Sequence, residues 1–403
     1  MAILPAEMVP GLATQTDTRI VLVVADGLGG LPHPDTGRSE LETAATPHLD
    51  RLAAQSALGL IDPVAPGIIP GSGPGHLALF GYDPLVHQIG RGALSALGLD
   101  FPLRPGDVAV RGNFATVDAQ GNLTDRRAGR IPTELNAALC AKLEAIAIPG
   151  AQCFVQPEEG YRFLLVVRGP DLSAALSDSD PQVTGQPALP VRPLSEAAAR
   201  TAEFINAYIA RANDLLADER PANAILLRGF AQRPSLPSLT EQYRLRPAAI
   251  AVYPMYRGLA QVAGMTVLPT GTDFAAEVET LRTHFAAHDF FFVHFKWTDS
   301  AGEDGDFDHK VAMLEVLDQS LPAIIALQPE VLVVTGDHST PSILSGHSWH
   351  PVPLLLHSPW AFPDTTTSFS ERTCMQGGLG RFPATQLMPL LLAYARKLIK
   401  FGA

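Results

Sequence analysis

Cysteine is scarce in this chain. The three present, Cys140, Cys153 and Cys374, fall in neither metal-binding nor redox spacing, so a disulfide framework is excluded and a reducing compartment is implied. Lysine is scarce too: only five of the 29 basic residues are Lys, and the net charge is −12. Such a balance excludes a non-specific nucleic-acid binder, which needs a basic surface. A small anionic ligand stays open, because guanidinium groups recognise phosphate and carboxylate in a fork. No apolar run reaches the roughly 20 residues of a membrane-spanning helix. Residues 1–20 carry acidic and polar side chains without the pattern of a secretory signal. The expectation is a soluble, cytoplasmic protein with no nucleic-acid or membrane partner.

What is present suits a large folded core. Apolar residues make up 46% of the 403 residues and charged residues 17%, a composition that argues against disorder. At about 150 residues per domain, the length suggests two domains. Three short apolar runs read as buried strands of a parallel sheet: Ile20–Ala25, Phe290–Phe295 and Val331–Thr335. Each is followed at once by carboxylates, and the C-terminal edge of an open α/β sheet is where sites form. Residues 353–356 are a shorter candidate strand. Helical spacing covers 46–55, 274–287, 310–327 and 384–401. The middle of the chain differs: a hairpin pattern at 107–124, strands at 161–167 and 224–227, and an Ala-rich helix at 194–217. Proline-rich stretches at 101–105 and 233–237 flank it. The predicted architecture is an α/β core of residues 1–100 and 239–403, with a smaller α/β domain of residues 101–238 inserted.

The candidate chemistry sits at the strand ends. Asp26-Gly27 follows the first strand, where a carboxylate beside a glycine leaves room for a hard cation; a turn residue explains it equally. Pro70-Gly71-Ser72-Gly73-Pro74-Gly75-His76 is a glycine-rich turn before an apolar helix. A serine there meets free backbone N–H groups that favour an anion; an ordinary helix cap is the alternative. Proline at position 70 excludes the nucleophile-elbow pattern. Asp337-His338 ends the third strand, and His347 and His350 follow within a loop. Asp299 and Glu303 lie in a carboxylate- and glycine-rich run that lacks the order of a calcium loop; a solvated loop charge is the alternative. Together these carboxylates and imidazoles suit Mn2+, Zn2+ or Mg2+. Arg126, Arg127 and Arg130 follow Asp125 beside the hairpin, Arg111 lies on it, and Arg228 follows a strand, a cluster suited to phosphate or carboxylate. Each of these has a solvated surface role as its alternative. Lys296 stands just past a buried strand.

In this order, the stretches Val23–Gly27, Pro70–Ser72, His76–Pro84, Arg111–Thr116, Asp125–Arg130, Thr298-Asp299 with Gly302–Asp306, and Thr335–Pro341 resemble the archaeal type of cofactor-independent phosphoglycerate mutases, in the alkaline phosphatase superfamily. The resemblance spans about residues 18–395. It implies a phosphatase-like core with a mainly parallel sheet, two divalent cations (Mn2+ first, with Mg2+, Zn2+ or Co2+ as alternatives), and Ser72 as nucleophile toward phosphoglycerate. It also implies Asp26, Ser72, Asp337 and His338 as ligands of one cation and Asp299, Glu303 and His347 as ligands of the other. Arg111, Arg126, Arg127, Arg130, Arg228 and Lys296 become the substrate shell, with Asp125 as acid/base. The archaeal pattern has His where this chain has Glu303, which shifts preference toward Mn2+ or Mg2+; His350 is an alternative imidazole. Two other readings stay open: a phosphomonoester or phosphonate hydrolase of the same superfamily, and a non-catalytic metal- or phosphate-binding protein.

Overall fold

The computed structural model describes residues 8–402. The chain divides into two compact units, one of Met1–Gln88 with Leu236–Ala403 and the other of Ile89–Ser235. In chain order the first unit contributes β1 (Ile20–Ala25) and β2 (Ala57–Asp62). The second carries β3 (Val108–Val117), β4 (Leu123–Asp125), β5 (Gln152–Pro157), β6 (Arg162–Arg168) and β7 (Ala224–Ala231). The first resumes with β8 (Pro247–Ile250), β9 (Thr266–Val267), β10 (Phe290–Phe295), β11 (Val331–Thr335), β12 (Val352–His357) and β13 (Gly380–Pro383).

The first unit is a mixed α/β fold around an eight-stranded sheet in the order β13-β2-β12-β11-β1-β10-β8-β9. All neighbours are parallel except β12, which runs against both β11 and β2. β1 is central, and every one of its residues is buried. That is why it reads as a continuous apolar run rather than an alternating one. Ile20 pairs with both Phe290 and Val331, so β1, β10 and β11 start level and finish at the same edge. Their carboxylate-bearing ends are thereby brought side by side.

Two sequence expectations change and one element is added. The run after β10 is helical, Trp297–Glu303, and Asp306 then caps the helix Phe307–Ile325 by accepting from the His309 N–H at 2.9 Å. Asp299 and Glu303 thus sit one turn apart on one helix face. The C-terminal helix is shorter than expected, Leu387–Tyr394. Arg396 turns left-handed (φ +57°), and Lys397 is buried, its ammonium donating to the Thr16 carbonyl at 3.0 Å. The second unit starts at Ile89, before the proline-rich 101–105 stretch. The reason is the helix Arg91–Gly98, which packs directly on the second sheet: a Cβ on Gly92 would stand 2.2 Å from the Ala109 carbonyl oxygen.

That second sheet is antiparallel throughout, β4-β3-β6-β5 with β7 on the other side of β3. The helices Thr133–Glu144 and Ala199–Leu216 bury their apolar faces in the same core as β3 and β6. Phe114 and Phe163 meet there with ring centroids 4.8 Å apart. Among the described residues, no helix is long and apolar enough to cross a membrane.

Phe163 is fully buried, so Phe163→Ala should destabilise the second unit by about 3–5 kcal/mol. Urea denaturation measures this; a loss under about 1 kcal/mol would show that the ring is not a core anchor.

Candidate active site and metal centre

The strand ends deliver four buried groups. Asp26 follows β1, Asp299 lies on the helix after β10, and Asp337 and His338 follow β11; all four are at most 2% exposed. Adjacent side chains point to opposite faces within a strand. Asp337 and His338 both turn inward because the strand has already ended at Thr335. Asp26, Asp337 and His338 offer ligand atoms within 4.8 Å of one another, and so do Asp299, His338 and His347. His338 Nε2 stands 3.3 Å from Asp26 Oδ1 and 3.1 Å from Asp337 Oδ2. Both of those oxygens are buried without a hydrogen-bond donor. Buried acceptors normally find a donor. Two orphaned carboxylate oxygens facing an imidazole nitrogen are a donor set that suits a divalent cation.

Charge around this group is strongly coupled. Burial opposes ionisation of Asp26, but Lys296 first, then His338 and the other nearby histidines, hold its carboxyl far below the usual range. Lys296 Nζ donates to Asp299 Oδ2 at 2.5 Å and lies 3.0 Å from Asp26 Oδ2. Burial and the Asp26 charge push Asp299 upward, and Lys296 opposes them. His347 is half-buried, with Nδ1 2.8 Å from the Pro70 carbonyl and Nε2 3.5 Å from Asp299 Oδ1 and 3.6 Å from Glu303 Oε1. Burial works against its charged form. Glu303, the Pro70 carbonyl and Asp299 outweigh burial and carry the ring up to about 9. Glu303 is exposed and borders this group. His350 points elsewhere, into a cavity of about 200 Å³ lined also by Leu60, Glu371, Arg372 and Met375.

Ser72 is the first residue of the helix Ser72–Leu79, and Gly71 is its cap. Its side chain therefore caps nothing. The hydroxyl instead lies 3.1 Å from His338 Nε2. Gly75 allows this placement: a Cβ there would stand 2.2 Å from the Asp337 carbonyl oxygen, so the serine helix rests directly on the ligand loop.

The remaining expected residues belong to the second unit. The β3–β7 register sets Arg111 opposite Arg228. Arg91, on the adjacent helix, is pushed down to about 10 by desolvation and then by the Arg111 and Arg228 charges. Three guanidinium groups held this close suit an anion, although Arg228 also lies 3.4 Å from Asp180. Arg126 is forked onto Asp180 by two 2.7 Å hydrogen bonds. Arg127 and Arg130 are exposed on a turn where Ala128, Gly129 and Arg130 run left-handed in succession (φ +46°, +63° and +54°). Asp125 holds that turn, accepting from Arg127 N at 2.8 Å and Gly129 N at 2.6 Å.

The sequence pattern does not reveal a layer behind the candidate ligands. His76 Nδ1 is 2.8 Å from the Ser72 carbonyl and 3.2 Å from Asp337 Oδ2. Tyr256 donates to Asp26 Oδ2 and stacks on His294 at 3.7 Å. Lys310 and Thr340 are fully buried beneath the loops. The available signal was an ionisable residue inside an apolar stretch, as with His294 in β10.

Gly75→Ala should therefore push the serine helix off the Asp337 loop. Overpacking of this kind costs about 1–3 kcal/mol. Thermal melting should show the loss, and a crystal structure of the variant should show the Ser72–His338 contact broken; an unchanged contact would refute the role given to Gly75.

A family profile described as 2,3-bisphosphoglycerate-independent phosphoglycerate mutase matches residues 53–223. A probable 2,3-bisphosphoglycerate-independent phosphoglycerate mutase of Thermus thermophilus is 52% identical over 397 residues, covering 97% of this chain and 98% of the relative. One of Deinococcus radiodurans is 51% identical, covering 98% and 99%. Among solved structures, a cofactor-independent phosphoglycerate mutase of Thermoplasma acidophilum is similar at a TM-score of 0.70 and 32% identity, covering 94% of this chain and 100% of that one. A protein of Pyrococcus horikoshii is similar at 0.83 and 28%, covering 96% and 100%. With half its residues shared over nearly the full length of such relatives, the chain belongs to the family of 2,3-bisphosphoglycerate-independent phosphoglycerate mutases.

Proposed function

We propose that this chain interconverts 3-phosphoglycerate and 2-phosphoglycerate, with Ser72 carrying the phosphoryl group between the two oxygens. The observation that carries the reading is the Ser72 hydroxyl, free of any capping role and 3.1 Å from His338 Nε2, beside two orphaned carboxylate oxygens. The full-length relatives named as mutases support the substrate.

The residues fit two divalent cations. Asp26, Ser72, Asp337 and His338 would hold one; Asp299, Glu303 and His347 would hold the other. An oxygen-rich second set favours Mn2+ or Mg2+ over Zn2+. Bound there, the cations would acidify the serine hydroxyl and neutralise charge on the phosphoryl oxygens.

The chain's own groups do the rest. Ser72 Oγ, its proton already given up to solvent, bonds to phosphorus as the bond to the 3-oxygen of the substrate breaks. The N-terminal N–H groups of its helix face the anion. Lys296 Nζ, 3.0 Å from Asp26 Oδ2 and 2.5 Å from Asp299 Oδ2, favours the ionised form of both carboxyls. The leaving 3-oxygen takes a proton, for which Asp125 is the candidate donor; each of its oxygens keeps a lone pair beyond its backbone hydrogen bond. Arg111, Arg127, Arg130 and Arg228 retain the glycerate carboxylate, and Arg126 shapes that surface through Asp180. Glycerate then turns, its 2-oxygen bonds to phosphorus as the bond to Ser72 Oγ breaks, and the 2-hydroxyl proton returns to the acid/base group. The substrate is a glycolytic intermediate, so the reading places the enzyme in the cytoplasm.

An enolase-coupled assay with 3-phosphoglycerate and Mn2+ should register steady formation of 2-phosphoglycerate. Release of inorganic phosphate without 2-phosphoglycerate would sink the mutase reading in favour of a hydrolase. Ser72→Ala should lower kcat by about 10³-fold or more, as removal of a nucleophile does; wild-type turnover in that variant would refute the nucleophile.

A further inference from the structure

Thr340 spends every polar atom it has on the loops around the candidate metal centre. Its N–H donates to the carbonyls of Gly27 and Gly29, at 3.3 and 3.0 Å. Its own carbonyl accepts from Lys310 Nζ at 2.8 Å. Its hydroxyl lies 2.8 Å from Asp299 Oδ1 and 2.9 Å from His338 Nδ1. Two glycines clear the space it occupies. A Cβ on Gly27, which sits at φ +66°, would stand 2.5 Å from the Thr340 hydroxyl, and one on Gly302 would stand 2.3 Å from its carbonyl oxygen.

Lys310 is what fixes this arrangement. It is fully buried, and its ammonium donates to Gly27 O, Gly29 O and Thr340 O at 2.9, 3.0 and 2.8 Å. A buried ammonium is tolerated only when its protons are satisfied. Here all three are, by carbonyls of the loop after β1 and the loop after β11. The two loops that carry Asp26 and Asp337-His338 are thus pinned together by one cation.

The hydroxyl then has a consequence for proton placement. A hydroxyl has one proton to donate, and an ionised carboxylate has none. Lys296 holds the other oxygen of Asp299 at 2.5 Å, so Asp299 Oδ1 takes the Thr340 proton. Toward His338 Nδ1 the hydroxyl can then only accept, and Nδ1 must carry the ring proton. We infer that Thr340, anchored by Lys310, sets the tautomer of His338, so that the ring presents an unprotonated Nε2 to Ser72 and to the Asp26–Asp337 carboxylates. Thr340 is a positioning residue: it acts through His338 and Asp299. The inference rests on the reading that His338 serves a metal centre, since partners behind a ligating histidine fix its tautomer and orientation.

Thr340→Val keeps the shape and removes the hydroxyl; Thr340→Ser restores it. Mn2+ binding to the purified full chain, followed by calorimetry, should weaken about 10- to 100-fold in the valine variant, the range for loss of such a partner. The serine variant should stay close to wild type. In metal-free protein with 15N-labelled histidine, the His338 signal, assigned by its loss in His338→Asn, should show a protonated Nδ1 in wild type and Thr340→Ser. In Thr340→Val it should redistribute toward a protonated Nε2. An unchanged tautomer together with unchanged Mn2+ affinity in Thr340→Val would overturn the inference. If wild type itself binds no Mn2+, the metal reading fails instead, and the nitrogen spectra alone decide whether Thr340 sets the tautomer.

Discussion

Everything at the candidate site depends on charges kept out of water at the ends of three parallel strands. Asp26, Asp337 and His338 are entirely buried. An ionised carboxylate tolerates this only beside an opposing charge. Lys296 supplies part of it, bridging Asp26 and Asp299. The two oxygens left without donors leave room for further positive charge. The level register of β1, β10 and β11 is what turns three separate sequence motifs into one electrostatic unit.

Around that unit, small residues set the distances. Gly75 seats the serine helix on the Asp337 loop, Gly27 admits the Thr340 hydroxyl, and Gly302 lets the Asp299 helix lie against the Thr340 backbone. By its sequence alone, Gly27 leaves room for a hard cation. The room is taken by Thr340, which orients a ligand in place of touching the substrate. Positive charge follows the same economy: of five lysines, Lys296 serves the carboxylates and Lys310 the loops.

Much of the core fold was legible in residue pattern. The apolar runs of β1, β10 and β11 lie where the sequence placed them, because strands buried on both faces have no alternation to blur. Shorter or half-exposed elements were not legible. β5, β8, β9 and β13 have no clear pattern in the sequence, and β2, though wholly buried, is interrupted by Gly59 and ends in Asp62; the Asp299–Glu303 turn of helix carries glycine and carboxylates that are also loop residues. In the second unit the Arg111–Arg228 pairing emerged only from strand register, and Arg91 joined them from a stretch that the sequence placed in the core domain.

Ser72 is where the two kinds of information part. The sequence by itself determined the chemical inventory: a serine at a helix start, carboxylates after three buried strands, few lysines and many arginines. It could not separate a helix cap from a nucleophile, since both need the same residue after a glycine. Tertiary structure excluded the cap, because Gly71 takes that place and the hydroxyl turns to His338 across 266 positions of chain. Tertiary structure also decided proton placement, since Thr340 and Asp299 meet through contacts 41 residues apart. Local pattern encodes which groups a chain owns; which of them share a proton or a charge is set by packing between distant segments, and that is absent from any local window.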